Sequence, residues 1–196
     1  MPNENLQAGS IYHFYNRGNN KENIFKEERN YNYFLQLVKK YVLPVSEIYS
    51  YCLMKNHFHI VLKIKEKDEL PEKYKEKIHL PFSNLFNTYT KSINKAYNRT
   101  GSLFQEHPKK NTVENEEYLR QLIIYIHLNP LKHKFSDKFE NYKHSSFLSY
   151  LSEKETNLSR DYVFELFGGK ENFIFCHNES QIKQEGFVDE IDKLDN

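Results

Sequence analysis

The sequence contains no tryptophan, only two cysteines, and no apolar run long enough to cross a bilayer. Cys52 and Cys176 lie far apart and match neither a zinc-site spacing nor a redox motif, so we expect two packed thiols. The N-terminal residues include no apolar segment of the kind found in secretory signal peptides. These absences argue against a cysteine-bound metal and a membrane span, and they predict a protein of the reducing cytoplasm.

Neither sign of charge is in clear excess over the whole chain. The formal net charge is +1, which by itself offers little attraction to a polyanion. The distribution is uneven, because residues 179–196 contain six acidic residues and two lysines, a net of −4. The preceding 178 residues hold 26 basic and 21 acidic residues, a net of +5. A modestly basic body with an acidic tail leaves phosphate binding open.

Aromatic residues, by contrast, are abundant, with 15 tyrosines and 15 phenylalanines among 196 residues. Together with an apolar fraction of 38%, they are sufficient for the core of one compact domain plus an extension. Tyrosine rings also stack on unpaired bases. The composition is therefore compatible with nucleic-acid binding, but it does not establish it.

Hydrophobic periodicity predicts alternating strands and helices up to residue 128. Strands are expected over residues 10–15, 48–54 and 57–64 and within 102–113. Helices are expected over residues 27–41, 85–97 and 115–128. The first six elements follow the order β-α-β-β-α-β, which is typical of the ferredoxin-like α+β fold, an antiparallel sheet with helices on one face. One further helix and a C-terminal extension complete the expected architecture.

The chain divides into three expected segments. Residues 1–150 form the predicted domain, residues 151–178 an extension, and residues 179–196 an acidic tail whose composition is typical of disorder. Between Pro130 and Phe175 the pattern is irregular and only weakly helical.

Two histidines stand out in the third predicted strand. Because side chains alternate along a strand, His57 and His59 share one face, with Cβ atoms roughly 6.5–7 Å apart, and Phe58 points to the other. A single metal ion fits between two imidazoles at that distance. The alternative interpretation is two polar residues on a half-exposed strand.

The helix predicted over residues 115–128 carries a second candidate group. Tyr118, Leu122, Tyr125 and Asn129 follow one another at helical spacing along a single stripe. Tyr125 and Asn129 are one turn apart, so their side chains can reach the same point. The alternative is that Tyr125 is a boundary aromatic and Asn129 a helix cap, since Pro130 is expected to end the helix.

Four segments together resemble a known family. Residues 54–59 (MKNHFH) are similar to the histidine strand of the single-tyrosine HUH transposases, usually MPNHFH, with Lys55 in place of the proline. Residues 125–130 (YIHLNP) resemble their tyrosine-helix signature, and residues 98–105 (NRTGSLFQ) and 12–18 (YHFYNRG) match two further stretches. The resemblance extends over about residues 11–150 and is nearest to the REP-associated tyrosine transposases.

The resemblance implies a reaction and a site. His57 and His59 are expected to bind a divalent metal, Mg²⁺ or Mn²⁺, with Asn129 completing the site. Tyr125 is the expected nucleophile, which nicks and rejoins single-stranded DNA beside a hairpin through a covalent 5′-phosphotyrosine. Candidate DNA-backbone contacts come from basic and polar residues near these motifs, namely Arg17, Lys91, Lys95, Arg99, Gln105, Lys109 and Lys110.

Two other functions remain open at this point. A ferredoxin-like sheet rich in aromatics is also typical of RNA-recognition modules, so the chain is alternatively a catalytically silent nucleic-acid-binding module. A metal-dependent nuclease could use the same histidines to activate water, without a nucleophilic tyrosine. The oligomeric state is open as well, because relatives of this kind include both homodimers and monomers.

Overall fold

The computed structural model describes residues 6–105 and 108–183 of the chain. The strands in these ranges are β1 (Ile11–Arg17), β2 (Ser46–Met54), β3 (His57–Ile64) and β4 (Lys109–Val113). The α-helices are α1 (Glu28–Leu37), α2 (His79–Ala96), α3 (Glu116–Lys132), α4 (Phe147–Leu151), α5 (Arg160–Phe167) and α6 (Lys170–Lys183). No helix in the described ranges is long and apolar enough to cross a membrane.

The four strands form one antiparallel sheet in the order β2-β3-β1-β4. With α1 between β1 and β2 and α2 between β3 and β4, this is the predicted ferredoxin-like arrangement, which is confirmed. In the observed register, Tyr15 of β1 lies opposite His59 of β3, and Arg17 lies opposite His57. The predicted bounds of β3 agree with the structure, because alternation and the turn at residues 55–56 specify them.

Several predicted bounds differ from the observed ones. Helix α2 begins at His79, six residues before the predicted start, and includes Pro81. A proline is tolerated there because the first four N–H groups of a helix have no partner within the helix. The helix predicted to reach residue 41 is seen as α1 followed by a π-helical turn over Val38–Val42, just before Pro44.

A first core lies between the sheet and helices α1 and α2. Phe58, Ile60, Leu62 and Ile64 of β3 all point into it, as alternation predicts. Phe34 of α1 contacts Phe58, with ring centroids 5.2 Å apart. Burial of one such side chain contributes about 1.5–3 kcal/mol, so this core stabilises the sheet and sets its register.

A second core lies on the opposite face, where α3 packs against β2 and helices α4–α6 pack around α3. Val61 of β3 points into this core, together with Leu122 and Ile126 of α3. Phe147 and Phe173, from either side of residue 150, are buried in the same cluster. The sheet is therefore covered on both faces.

The region after Pro130 is more regular than we predicted. Helices α4, α5 and α6 form because their spaced aromatic and aliphatic residues bury against α3 and β2. Helix α6 continues to Lys183, five residues into the stretch predicted as a tail, and the rest of that stretch, residues 184–196, lies outside the described residues.

Helix α3 continues through Pro130 to Lys132, so the predicted end at Asn129 was wrong. A proline lacks the N–H that would bond to the carbonyl four residues earlier. The helix still gains one more turn, because His133 N–H donates to the Asn129 carbonyl and Pro130 is buried in the tertiary structure. The continuation brings His133 close to the histidines of β3.

Candidate metal and tyrosine site

Strand β3 presents His57 and His59 to the face that α3 covers. Their rings are perpendicular, with centroids 5.3 Å apart, and their side chains are only 6% and 1% exposed. The alternative of two polar residues on a half-exposed strand is therefore wrong. Buried imidazoles require a hydrogen-bonding or ligand role, because burial removes them from water.

Each of these two rings is contacted at Nδ1 by a different side chain. His57 Nδ1 lies 2.7 Å from Oδ1 of Asn56, in the turn before β3. His59 Nδ1 lies 2.9 Å from Nε2 of His13, in the neighbouring strand β1. A contact at Nδ1 leaves Nε2 as the ring nitrogen that could ligate a metal, an arrangement common among metal-binding histidines.

The turn that carries Asn56 is anchored by Gly18 at the end of β1. Gly18 N–H donates to the Asn56 carbonyl over 2.7 Å. A side chain is excluded at this position, because a Cβ on Gly18 would lie 2.0 Å from the carbonyl oxygen of Glu22. The glycine therefore permits the close approach of the Glu22 backbone to the residue that also anchors the turn before β3.

Helix α3 brings Tyr125 and Asn129 to the same two histidines. The Tyr125 ring lies edge-on to His59 with centroids 6.2 Å apart, and Tyr125 and Asn129 are 5% and 1% exposed. The side chains of Tyr125 and Asn129 both face the sheet, because residues four apart lie on the same side of a helix. One chain thus holds His57, His59, Tyr125 and Asn129 together.

Polar atoms at this point are left unsatisfied. His57 Nε2 and both polar atoms of the Asn129 amide are buried and make no hydrogen bond of standard geometry within the described part of the chain, although the amide lies close enough to His57 to influence its pKa. Buried polar side-chain atoms are normally hydrogen-bonded, so a cluster of exceptions calls for an explanation. A ligand that these atoms share provides one.

The two imidazoles are neutral in this environment. The pKa of His57 is lowered to about 3, chiefly by burial and to a smaller extent by the nearby His133 and Arg17, while the polar interaction between its ring and the Asn129 amide acts in the opposite direction. Burial also lowers the pKa of His59 well below its usual value, with smaller contributions from neighbouring cationic groups. A neutral imidazole is the form that binds a metal.

The donor set fits a divalent metal of intermediate softness. Within residues 6–105 and 108–183, no group of three or more His, Cys, Asp or Glu side chains could hold an ion. Among the described residues, the donors available to a metal at this point are two imidazole nitrogens and the amide oxygen of Asn129. Nitrogen and oxygen donors with open positions suit Mn²⁺ and, less strongly, Mg²⁺.

A cleft of about 50 Å³ opens beside the histidines. It is lined by His57, His59 and nearby residues of β1, β3, the segment before β4 and the start of β4, namely Tyr15, Asn16, Arg17, Phe58, Gln105 and Lys109. Three of the predicted DNA contacts therefore converge here: Arg17, Gln105 and Lys109. Gln105 is held in place because its N–H donates to the Arg17 carbonyl over 2.9 Å.

The other predicted DNA contacts lie away from this cleft. Lys91 and Lys95 are exposed on α2, on the far side of the sheet, and Lys110 alternates with Lys109 and points to that same side. Arg99 forms an ion pair with Glu22 and also donates to the Ser102 carbonyl, so it ties two loops together.

Sequence reasoning missed three residues at the site: His13, Asn56 and His133. His13 shares its sheet face with Tyr15 and Arg17, a relation that alternation predicts once the neighbouring strand is known. His133 lies eight residues after Tyr125 on the same helical stripe, and its ring centroid is 4.8 Å from that of His57. Because the helix was expected to end at Asn129, the sequence did not predict that His133 lies on the same side of α3 as Tyr125.

The chain matches no protein-family model and none of the curated proteins at a significant level. Among solved structures it is similar to a REP-associated tyrosine transposase bound to a REP hairpin, with a TM-score of 0.61 and 13% sequence identity. The match covers 78% of this chain and 86% of that one. The two chains share a fold.

Proposed function

We propose that the chain is a metal-dependent transposase of the single-tyrosine HUH type, which cuts and rejoins single-stranded DNA beside a hairpin. The observation that carries the proposal is that Tyr125 and Asn129 meet His57 and His59 in one buried group, beside a cleft with basic residues. The shared fold with a hairpin-bound tyrosine transposase supports it. Because one chain contains all four residues, we propose that the site acts without a second copy.

Tyr125 is the proposed nucleophile. Its oxygen attacks the scissile phosphorus, the bond to the 3′ oxygen breaks, and the phenolic proton ends on that 3′ oxygen. The resulting 5′-phosphotyrosine conserves the energy of the broken phosphodiester, so a new 3′ hydroxyl can reverse the step. A phenol with a pKa near ~10 is a weak nucleophile. Lys132 Nζ, 5.4 Å from the centre of the Tyr125 ring, favours the negative charge that develops there.

His57, His59 and Asn129 are the proposed ligands of Mg²⁺ or Mn²⁺. When bound, the ion supplies charge neutralisation at a non-bridging phosphate oxygen. The protein residues orient the phosphate against Tyr125 and exclude water from the buried group. Exclusion of water favours transfer to DNA over hydrolysis.

Arg17, Gln105 and Lys109 are the proposed contacts to the DNA backbone next to the cut. A guanidinium, an amide and an ammonium around one cleft can position a phosphate without reading the bases. Lys91, Lys95, Lys110 and Arg99 remain predictions from the sequence, and we assign contacts with the hairpin stem to the exposed lysines among them.

The test is a covalent-adduct assay with hairpin-containing single-stranded DNA taken from sequence flanking the protein's own gene. With Mn²⁺ or Mg²⁺, the full chain should form an adduct that survives denaturing gels. Tyr125→Phe and His57→Ala should abolish it, while Tyr118→Phe, one further tyrosine on the same helix stripe, should retain it.

The other outcomes identify the competing functions. Cleavage without an adduct, unaffected by Tyr125→Phe, would point to a nuclease that activates water. Binding without cleavage on every flanking hairpin would point to a catalytically silent binding module. An adduct that persists in Tyr125→Phe would move the nucleophile to another tyrosine.

A further inference from the structure

We propose that His13 is a positioning residue that holds His59 in its metal-binding tautomer. The inference rests on the proposed metal site and adds a residue that acts through one of the proposed ligands, His59. Its starting observation is the 2.9 Å contact between His13 Nε2 and His59 Nδ1, made by two fully buried rings 46 residues apart.

The two proposed ligand histidines are supported in chemically different ways. Asn56 offers an amide oxygen to His57 Nδ1, and an oxygen can only accept, so His57 must carry its proton on Nδ1. His13 offers a ring nitrogen to His59 Nδ1, and a ring nitrogen either donates or accepts, depending on the tautomer. The tautomer of His59 is therefore set by that of His13.

Only one arrangement of the two protons is compatible with a metal on His59. Nε2 of His59 can ligate only when Nδ1 carries the proton, and Nδ1–H then donates to His13 Nε2. For His13 to accept, its own proton must be on Nδ1. In the opposite arrangement His13 donates, His59 is protonated on Nε2, and the ligating position is closed.

The orientation of His13 is restricted by stacking. Its ring lies on Tyr15, with centroids 4.6 Å apart and an angle of 25°, and on His59, with centroids 5.2 Å apart and an angle of 22°. His13 Nδ1 is buried, and the described part of the chain offers it no hydrogen-bond partner. In the described structure, the one polar contact of the His13 ring is therefore with Nδ1 of His59, the ring nitrogen opposite the proposed ligating Nε2.

The test compares three substitutions at residue 13. In His13→Gln, the amide oxygen can reach about as far as Nε2 and still accept. In His13→Asn, the shorter side chain cannot reach His59, and in His13→Phe, the ring and its stacking remain but the acceptor is lost. Because Gln and Asn differ by one methylene, their contrast stays informative even where the phenylalanine variant fails to fold.

Two measurements decide the matter. Long-range ¹H–¹⁵N spectra of the metal-free protein report the tautomer of His59, and a Mn²⁺ titration reports affinity. We expect the Nδ1–H tautomer in the wild type and in His13→Gln, and the Nε2–H tautomer in His13→Asn and His13→Phe. Affinity for Mn²⁺ should fall about 10–100-fold in the latter two and only a few-fold in His13→Gln.

The outcomes separate this inference from the proposed function. An unchanged His59 tautomer and equal Mn²⁺ affinities across the three variants would overturn the role of His13. A wild type that binds no Mn²⁺ would overturn the metal site, while the spectra of the metal-free protein would still decide the role of His13. Normal tautomer and Mn²⁺ binding without any DNA adduct would count against the transposase alone.

Discussion

On the face covered by α1 and α2, the sheet buries mainly aromatic and aliphatic side chains, whereas in the second core it also buries histidines. The buried histidines in the described ranges are His13, His57, His59, His127 and His177. The first core follows the usual rule that burial of carbon stabilises a fold. The second core includes groups that are costly to bury, which indicates a role besides stability.

Within the second core, the polar cluster around His127 and His177 differs in its hydrogen bonding from the cluster around His57 and Asn129. His177 Nδ1–H donates to the Phe173 carbonyl over 2.7 Å, and His127 Nδ1–H donates to His177 Nε2 over 2.8 Å. Ser146 then donates to His127 Nε2 over 2.7 Å and accepts from Tyr51 N–H over 2.9 Å. Every group in this chain of hydrogen bonds has its partner.

The cluster around His57 and Asn129 does not close in this way, because His57 Nε2 and both amide atoms of Asn129 make no hydrogen bond of standard geometry in the described structure. A buried network in which every polar group is hydrogen-bonded stabilises and orders a core. A network with unpaired polar groups lowers the stability of the fold unless a ligand satisfies those groups. His127 and His177 therefore link α3 to the C-terminal helices through satisfied hydrogen bonds, while the contrasting state of His57 and Asn129 supports the proposal that these two residues bind a ligand.

The largest expected effect comes from the first core. Phe58→Ala removes a ring that packs on Phe34 and Phe86, so it should lower the free energy of unfolding by about 3–5 kcal/mol. Chemical denaturation measures this. Phe175→Ala, at a side chain that is 59% exposed, serves as the control and should change stability by less than about 0.5 kcal/mol.

Acidification should affect the second core selectively. Burial lowers the pKa of His177 to about 4, whereas in the unfolded chain the pKa of a histidine is about 6.5. As the pH falls below about 6.5, the unfolded state therefore takes up a proton before the folded state does, and folding loses stability until about pH 4.

Between about pH 6.5 and pH 4, each buried neutral histidine lowers the free energy of unfolding by up to about 1.4 kcal/mol for each pH unit of acidification. Above about pH 6.5 it causes no such loss. Unfolding curves from pH 7.5 to 4 in the presence of a chelator measure the total. His177→Phe should be less stable at neutral pH but should lose less on acidification. Equal stability at pH 7 and pH 4.5 would show that these histidines are not buried as described.

Breaking the satisfied network should have an intermediate effect. Ser146→Ala leaves His127 Nε2 and the Tyr51 N–H without partners, so it should cost about 1–3 kcal/mol. Thermal unfolding measures the loss. Ser83→Ala, at an exposed serine of α2, is the control and should be nearly neutral, so similar losses in the two variants would argue against the network.

The unsatisfied cluster should respond in the opposite direction. Asn129→Leu replaces an amide that makes no hydrogen bond of standard geometry in the described structure, so the metal-free protein should be equally stable or more stable by about 1 kcal/mol. Binding of Mn²⁺ and adduct formation should be lost at the same time. A large loss of stability would instead show that Asn129 has a structural role.

The smallest effect is expected for single cations. Lys109→Gln, at the cleft, should weaken DNA binding and reduce the slope of log affinity against log salt concentration by about 1. The adduct yield at limiting DNA should fall with it. Lys91→Gln, on the far side of the sheet, should alter binding without altering cleavage of bound DNA, so a larger effect on cleavage from Lys91 would reverse this assignment.

Much of the architecture was predictable from local pattern. The strand that holds His57 and His59 was recognised from its alternation, and the helix that holds Tyr125 from its apolar stripes. The helical region after Pro130 was not, because α4, α5 and α6 depend on burial of Phe147, Phe173 and their neighbours against distant parts of the chain. Tertiary packing also allows α3 to continue past Pro130, although a proline locally favours the end of a helix.

The sequence by itself determined which residues share a face, because strand and helix periods are properties of the backbone. It therefore paired His57 with His59 and Tyr125 with Asn129. Only the tertiary structure decided that these two pairs meet, that Arg17 and Lys109 lie beside them while Lys91, Lys95 and Lys110 do not, and that His13 contacts His59. Those relations depend on strand order and on the packing of α3 across the sheet, which bring together residues that no local pattern connects.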